Sequence, residues 1–140
     1  MRTPALLLML LLQGAPDAGS PQGVDGEWWT ADRSARVRIT CRDDGCGGRL
    51  SWLRDEADGG VSRDDENPDP RLRGRRLLGL EVLTGLRRTT DGDFEGALYD
   101  PTDGATYRGR VTVTGARTLT LRGYVGLPLF GRSETWTRAD

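Results

Sequence analysis

Beyond residue 25 the chain is built of short runs that alternate apolar and polar residues with a period of two, and no stretch sustains a helical period. Such a chain buries its apolar positions by offering one face of each strand to a common core. The runs cover residues 26–30, 35–41, 48–53, 77–86, 94–99, 106–113, 118–125 and 132–138. Val37, Ile39 and Cys41 share one side of the second run, Leu50 and Trp52 one side of the third, and Leu78, Leu80 and Val82 one side of the fourth. In the last run Glu134, Trp136 and Arg138 fall together, and Tyr124 falls on the Arg-bearing side of the seventh. Asp100-Pro101-Thr102-Asp103-Gly104 is a turn by mechanism: Pro fixes φ, Asp bonds its own backbone, and Gly permits a positive φ. Eight antiparallel strands with one apolar face close into a barrel or stack as a sandwich. Gly96, Gly109 and Gly123, each inside a run, favour the barrel, because a strand tolerates a missing side chain where curvature is tight. An outer-membrane barrel is excluded, since Arg36, Arg38, Arg108, Arg110 and Arg122 would face lipid.

Residues 1–20 read as a cleaved signal peptide: Arg2, an unbroken apolar run from Ala5 to Leu12, then small and polar residues. The run is too short to span a bilayer, and no cysteine follows it to carry a lipid. Residues 21–140 are therefore expected to form one exported domain, periplasmic or secreted, with no transmembrane segment. A net charge of −1 argues against nucleic acid as a partner. The chain has no histidine, which removes Ser-His and Cys-His pairs and His-ligated metals. Cys41 and Cys46 are expected to form a disulfide across the tight CRDDGC turn, closing a loop so small that it stabilises by only about 2 kcal/mol.

Four blocks, CRDDGCGGRLSWL, ENPDPRLRGRRLLGL, LYDPTDGATYRGRV and LRGYVGLPLFGRSETWTR, together resemble the family of exported bacterial proteins called DUF2147, over about Gly26 to Arg138. The resemblance implies a lipocalin-like barrel with an internal ligand site and no assigned function. Two departures stand out. Arg75-Arg76-Leu77 replaces the family's Arg-Pro-Leu, and the tryptophan usual before the Tyr-Asp-Pro block is missing, with Phe94 the nearest aromatic. Gly26-Glu27-Trp28 resembles the G-x-W that opens lipocalin chains, and Arg138 lies where that superfamily stacks an arginine on the tryptophan. Gly26, Trp28 and Arg138 are accordingly read as a plug at one end of the barrel.

One open mouth then remains, and the long connection from about Arg54 to Arg76 is placed to fold across it as a lid or to lie as a solvated flap. Asn67 and Asp69 can bond their own backbone, and Arg71, Arg73 and Arg75 can pair with Asp64, Asp65 or Glu66. A small, partly apolar or amphipathic ligand inside the barrel would meet Trp52, Tyr99, Tyr107 and Trp136. Asn67, Asp69 and Arg73 would reach it from the lid, and Arg122 or Arg132 would anchor an acidic headgroup. Core filling and surface charge are the competing readings of these residues. Asp64, Asp65, Glu66 and Asp69 lack the spacing of a calcium loop, and the turn role of Asp100 and Asp103 explains them without acid–base work. The expectation is a binding protein, not an enzyme, with no cofactor and no metal. The alternative is an envelope interaction or stress-protection module with a solid core and a protein partner.

Overall fold

The computed structural model describes residues 23–139 apart from Pro128 and Phe130. The segment read as a signal peptide lies outside them. Eight strands follow in chain order: β1 Gly26–Trp29, β2 Ala35–Arg42, β3 Gly45–Leu53, β4 Glu81–Arg88, β5 Phe94–Asp100, β6 Ala105–Gly115, β7 Thr118–Tyr124 and β8 Arg132–Arg138. Each pairs with the next and β8 returns to β1, closing an antiparallel barrel. The expected eight-stranded barrel is the fold. Two runs are corrected in their bounds. β3 begins at Gly45, immediately after the Asp43-Asp44 turn. β4 begins at Glu81 and not at residue 77, because Gly79 takes a φ of +88° and the Leu80 N–H closes a turn onto the Leu77 carbonyl.

Register assigns the inner face. Phe94, Val111 and Leu121 stand opposite one another across β5, β6 and β7, and Trp28 and Val37 across β1 and β2. All are buried in one core with Ile39, Leu50, Leu83, Leu86, Leu119 and Trp136. Register also shifts at Val82 in β4 and Thr114 in β6, but two further bulges bear most on the reading of the runs. Val37 faces Leu50 but Arg36 faces Trp52, so Ser51 is the extra residue and Trp52 is carried to the outer face. In β4 the register shifts after Thr84 around Gly85, whose φ is +61°, and Leu83 and Leu86 thereby both point inward three positions apart. The single side expected for Leu78, Leu80 and Val82 does not exist: Leu78 is exposed and precedes the strand.

Strand parity sorts the connections between two ends. The turns at 43–44, 89–93 and 116–117 share one end with the entry to β1; the connections at 30–34, 54–80, 101–104 and 125–131 share the other. At the first end Cys41 and Cys46 face each other in register and form the expected disulfide within the core. There too the Arg138 guanidinium lies 4.3 Å from the Trp28 ring centroid, as the plug reading anticipated. It donates to the carbonyls of Asp25 at 2.8 Å, Ala116 at 3.0 Å and Gly23. Trp28 is fully buried and its indole N–H donates to the Val24 carbonyl. Gly26 has a φ of +126°, and a Cβ there would lie 2.6 Å from Arg138 Nη1, so both backbone and space require glycine.

Trp28→Ala is expected to cost about 3–5 kcal/mol in urea unfolding through the cavity it leaves. Reducing the disulfide should cost only about 2 kcal/mol in the same assay.

Candidate functional site

The candidate site is the mouth, the end that carries the long connection between β3 and β4. Two single 3-10 turns, Arg54–Glu56 and Pro70–Leu72, punctuate that connection. A bridge between Arg63 and Arg76 folds it back on itself. Its anchor is Asp64, which is fully buried. The Tyr99 hydroxyl donates to Asp64 Oδ1 at 2.6 Å, and Asn67 Nδ2 and Arg75 Nε donate to Oδ2 at 2.8 and 3.0 Å. Burial works to raise the Asp64 carboxyl, but the bonds from Tyr99, Asn67 and Arg75 outweigh it and hold the group below its ordinary value. Tyr99 is pushed up to about 12, by burial first and then by its bond to the Asp64 carboxylate. Around this centre Arg73 donates to the Asn67 carbonyl, and the Asn67 side chain accepts from the Asp69 N–H. Asp69 in turn pairs with Arg71. Gly104, with a φ of +73°, lets the β5–β6 turn close onto the Glu66 carbonyl, where a Cβ would collide. Leu77 and Leu80 pack against the core from the far end of the connection.

Tyr99 alternates with the inward Leu98, so the anchor grips the outer side of β5 beside the mouth. The other holds fall on β3, through Leu80 to Leu50 and Arg49 to Gly79, and on the β1–β2 loop, through Arg54 to Ser34 and Asp32. The named holds thus lie on one side of the mouth. On the opposite side is β8. By register Arg132 faces Gly123, Glu134 faces Leu121 and Trp136 faces Leu119, which sets all three side chains inward. Trp136 is buried; Arg132 and Glu134 are exposed. Arg132 opens β8 at the rim and Glu134 follows two positions in. Gly96, Gly109 and Gly123 align across β5, β6 and β7 on the inner face, where the backbone of Thr84 and Gly85 packs on Gly96 and Leu98 packs on Gly109 and Gly123. Glu134 Oε1 accepts from the Trp136 indole at 2.7 Å. Tyr107, next inward position after Gly109, donates to Asp103 at 2.5 Å. That bond lowers the Asp103 carboxyl, with help from the charge of Arg132, and raises the Tyr107 hydroxyl.

The residues singled out in the sequence thus divide. Tyr107 and Arg132 lie near Asp103 at the mouth, whereas Trp136 is buried four positions deeper along β8, toward the closed end. Asn67, Asp69, Arg73 and Tyr99 come together, but as the fastening of the connection rather than as a lining of the interior. Two placements are corrected. Trp52, carried outward by the Ser51 bulge, packs edge-on against Trp29 at 5.3 Å with Arg36 over both rings. Arg122 also stands outside, where it donates to the Ser133 hydroxyl and to the carbonyls of Leu129 and Gly131, holding the β7–β8 loop. The arginines of the connection pair differently from the expectation for two of three: Arg75 takes Asp64, but Arg71 takes Asp69 and Arg73 takes a backbone carbonyl. Sequence reasoning had Asp64 only as one of several acids and gave Glu134 no role. A carboxylate in the inward parity of β8 was the available signal for Glu134; the burial of Asp64 had none.

A family model described as "Uncharacterized protein conserved in bacteria (DUF2147)" matches residues 26–138. Comparison with curated proteins gives no match. Among solved structures, the barrel is similar to protein HP1028 from Helicobacter pylori, which is described as belonging to the lipocalin family. The TM-score is 0.72 at 23% identity, over 84% of this chain and 83% of that one. This likeness shows the fold.

Tyr99→Phe is expected to remove a tyrosine that titrates at about 12 and to cost about 1–3 kcal/mol, because Asp64 loses a donor while buried. In the parent protein the Tyr99 contribution is full below pH 10.0 and lost as pH rises to about 12. The Asp64 contribution is full above pH 3.8 and lost as pH falls through its depressed value. Chemical denaturation across both windows, with ultraviolet titration of the three tyrosines, checks this.

Proposed function

We propose, for a chain that belongs to the DUF2147 family of uncharacterized bacterial proteins, that it is an exported, non-enzymatic carrier of a small amphipathic molecule held in the mouth of its barrel. The observation that carries the reading is the exposure of the inward-facing Arg132 and Glu134 above a glycine-lined wall. Leu98, Leu121 and Trp136 would meet the apolar part of the ligand, and Arg132 offers a guanidinium fork to a carboxylate head, with Tyr107 beside it. Glu134 sets a negative group within the same opening and favours a head that also carries a donor. The disulfide and the barrel fold suit a protein that works outside the reducing cytoplasm.

A second reading, an envelope interaction module, draws support from the β7–β8 loop, whose Val125, Leu127 and Leu129 are 69%, 63% and 78% exposed. The two readings part on occupancy of the mouth. Native mass spectrometry of gently purified protein should show a recurring adduct. A dansylated medium-chain fatty acid should bind the emptied protein and take energy from Trp136. Arg132→Glu should weaken that binding about tenfold, equivalent to about 1.4 kcal/mol. A clean apo mass with no probe binding defeats the carrier reading and leaves the interaction module.

A further inference from the structure

A second opening of about 360 Å³ lies far from the mouth, on the outer face of β2, β3 and β4. Its floor is made by Thr40, Gly47 and Gly85, and its walls by four arginines, Arg38, Arg42, Arg49 and Arg87. Arg38 stands opposite Arg49 across the β2–β3 ladder, Thr40 opposite Gly47, and Arg42 opposite Gly45, so arginines border each end of the trough, with the Glu81 carboxylate over Gly47 between them. Arg87 completes the Arg42 end: its Cγ lies 3.6 Å from where a Gly45 Cβ would be. It is delivered there by the β4 bulge around Gly85, and a bulge is a common way of re-aiming one side chain. The disulfide from Cys46 fixes the β2–β3 end of the trough.

The charge pattern sets this place apart from the rest of the surface. On the outer face elsewhere arginines are neutralised by neighbours. Arg110 holds Asp91, Asp93 and Glu95, Arg108 holds Glu95, and Arg76 holds Glu56. In the trough Arg38 reaches Glu27 and Arg49 donates to the Gly79 carbonyl, but Arg42 and Arg87 have no hydrogen-bond or ion-pair partner among the described residues. The acids of the lining are Asp44 and Glu81, which leave the four arginines in excess. Arg42 and Arg87 are both exposed and both border Gly45, so two like charges share one small patch. A dianion between them would relieve the repulsion and accept two forks of donors at once.

The geometry points to an anion site for a phosphate monoester or diphosphate in this trough, with Arg42 and Arg87 as its binding residues and Arg38 and Arg49 flanking the remainder of the ligand. The site is independent of the mouth and of the carrier reading. The volume admits a ligand the size of a phosphosugar or a lipid headgroup, and the phosphate is what the two sources share.

The test is an NMR titration of the arginine side-chain N–H signals with inorganic pyrophosphate at low ionic strength, alongside sedimentation with vesicles of phosphatidylcholine with or without phosphatidic acid. Pyrophosphate should shift the Arg42 and Arg87 signals with a Kd at or below about 1 mM. Arg42→Gln with Arg87→Gln should weaken binding at least about tenfold, whereas Arg71→Gln, on the connection, should not. Gly47→Ala, which sets a Cβ 2.7 Å from Glu81 Oε2 and 3.3 Å from the Leu83 carbonyl oxygen, narrows the floor and displaces the Glu81 carboxylate into the trough, and should also weaken binding. Shifts with pyrophosphate but no vesicle binding assign the site to a soluble phosphate compound; binding only to vesicles with phosphatidic acid, lost in the double variant, assigns it to a headgroup. No shift up to about 10 mM pyrophosphate with no vesicle binding, or equal weakening by Arg71→Gln, overturns the proposal.

Discussion

The barrel depends on one cation stacked on one indole. Among the described residues the β8–β1 ladder has two paired positions, Trp28 opposite Arg138 and Trp29 opposite Thr137, extended by the Ala139 N–H to the Glu27 carbonyl, while other neighbouring strands share longer ladders. A seam so short has little ladder to hold it. Arg138 supplies the missing hold by stacking on Trp28 and by tying three carbonyls, from the entry segment and from the β6–β7 turn, to the end of the last strand. An arginine can do this because its guanidinium is flat enough to cover a ring and still donates at its edge. A lysine would keep the charge and lose the geometry. The first and last strands are therefore joined by side chains as well as by a short ladder, and Gly26 is where the backbone gives way to admit them.

Fixing that end leaves the other free to vary. Parity sends the 54–80 connection to the mouth, and its length would be an entropic burden if it stayed mobile. It is ordered instead around a single buried carboxylate. Asp64 accepts from three side chains, two of them in the connection and one on β5, so the same group folds the segment on itself and fastens it to the barrel. A buried carboxylate is tolerated when its acceptor sites are filled by donors, one of them charged. The fastening is correspondingly all-or-none: removing any donor leaves the charge underserved, which ties the order of a long surface segment to a few hydrogen bonds.

What could be read from the sequence follows the range over which each cause acts. Period-two alternation, turn residues and the Gly-x-Trp with a terminal Arg are local signals, and they carry the eight strands, the disulfide and the plug. Errors of side sit at the two bulges, while those at Arg122, Arg71 and Arg73 concern which partner a side chain takes. One inserted residue, Ser51, reverses the side of Trp52, and Gly85 does the same within β4, yet neither leaves a mark in the alternation that precedes it. The fastening at Asp64 joins residues 35 apart in sequence, and nothing near Asp64 distinguishes it from Asp65, its exposed neighbour. Arg132 and Trp136 were legible as inward residues because β7 and β8 pair without a shift.

The interior is neither hollow nor solid throughout, and the division limits what it can hold. Below, Trp28, the Cys41 to Cys46 bridge, Leu86 and Phe94 fill the cross-section, as eight strands leave room for little more. Above, Leu98 packs on two of the three aligned glycines, and the inward residues of β8 turn polar at Glu134 and Arg132. From Arg132 to Trp136 is four residue steps, or ~13 Å along the strand at the usual rise. A long acyl chain could not lie buried in that depth, whereas a short tail or a single ring could rest on Trp136 with its polar end level with Arg132.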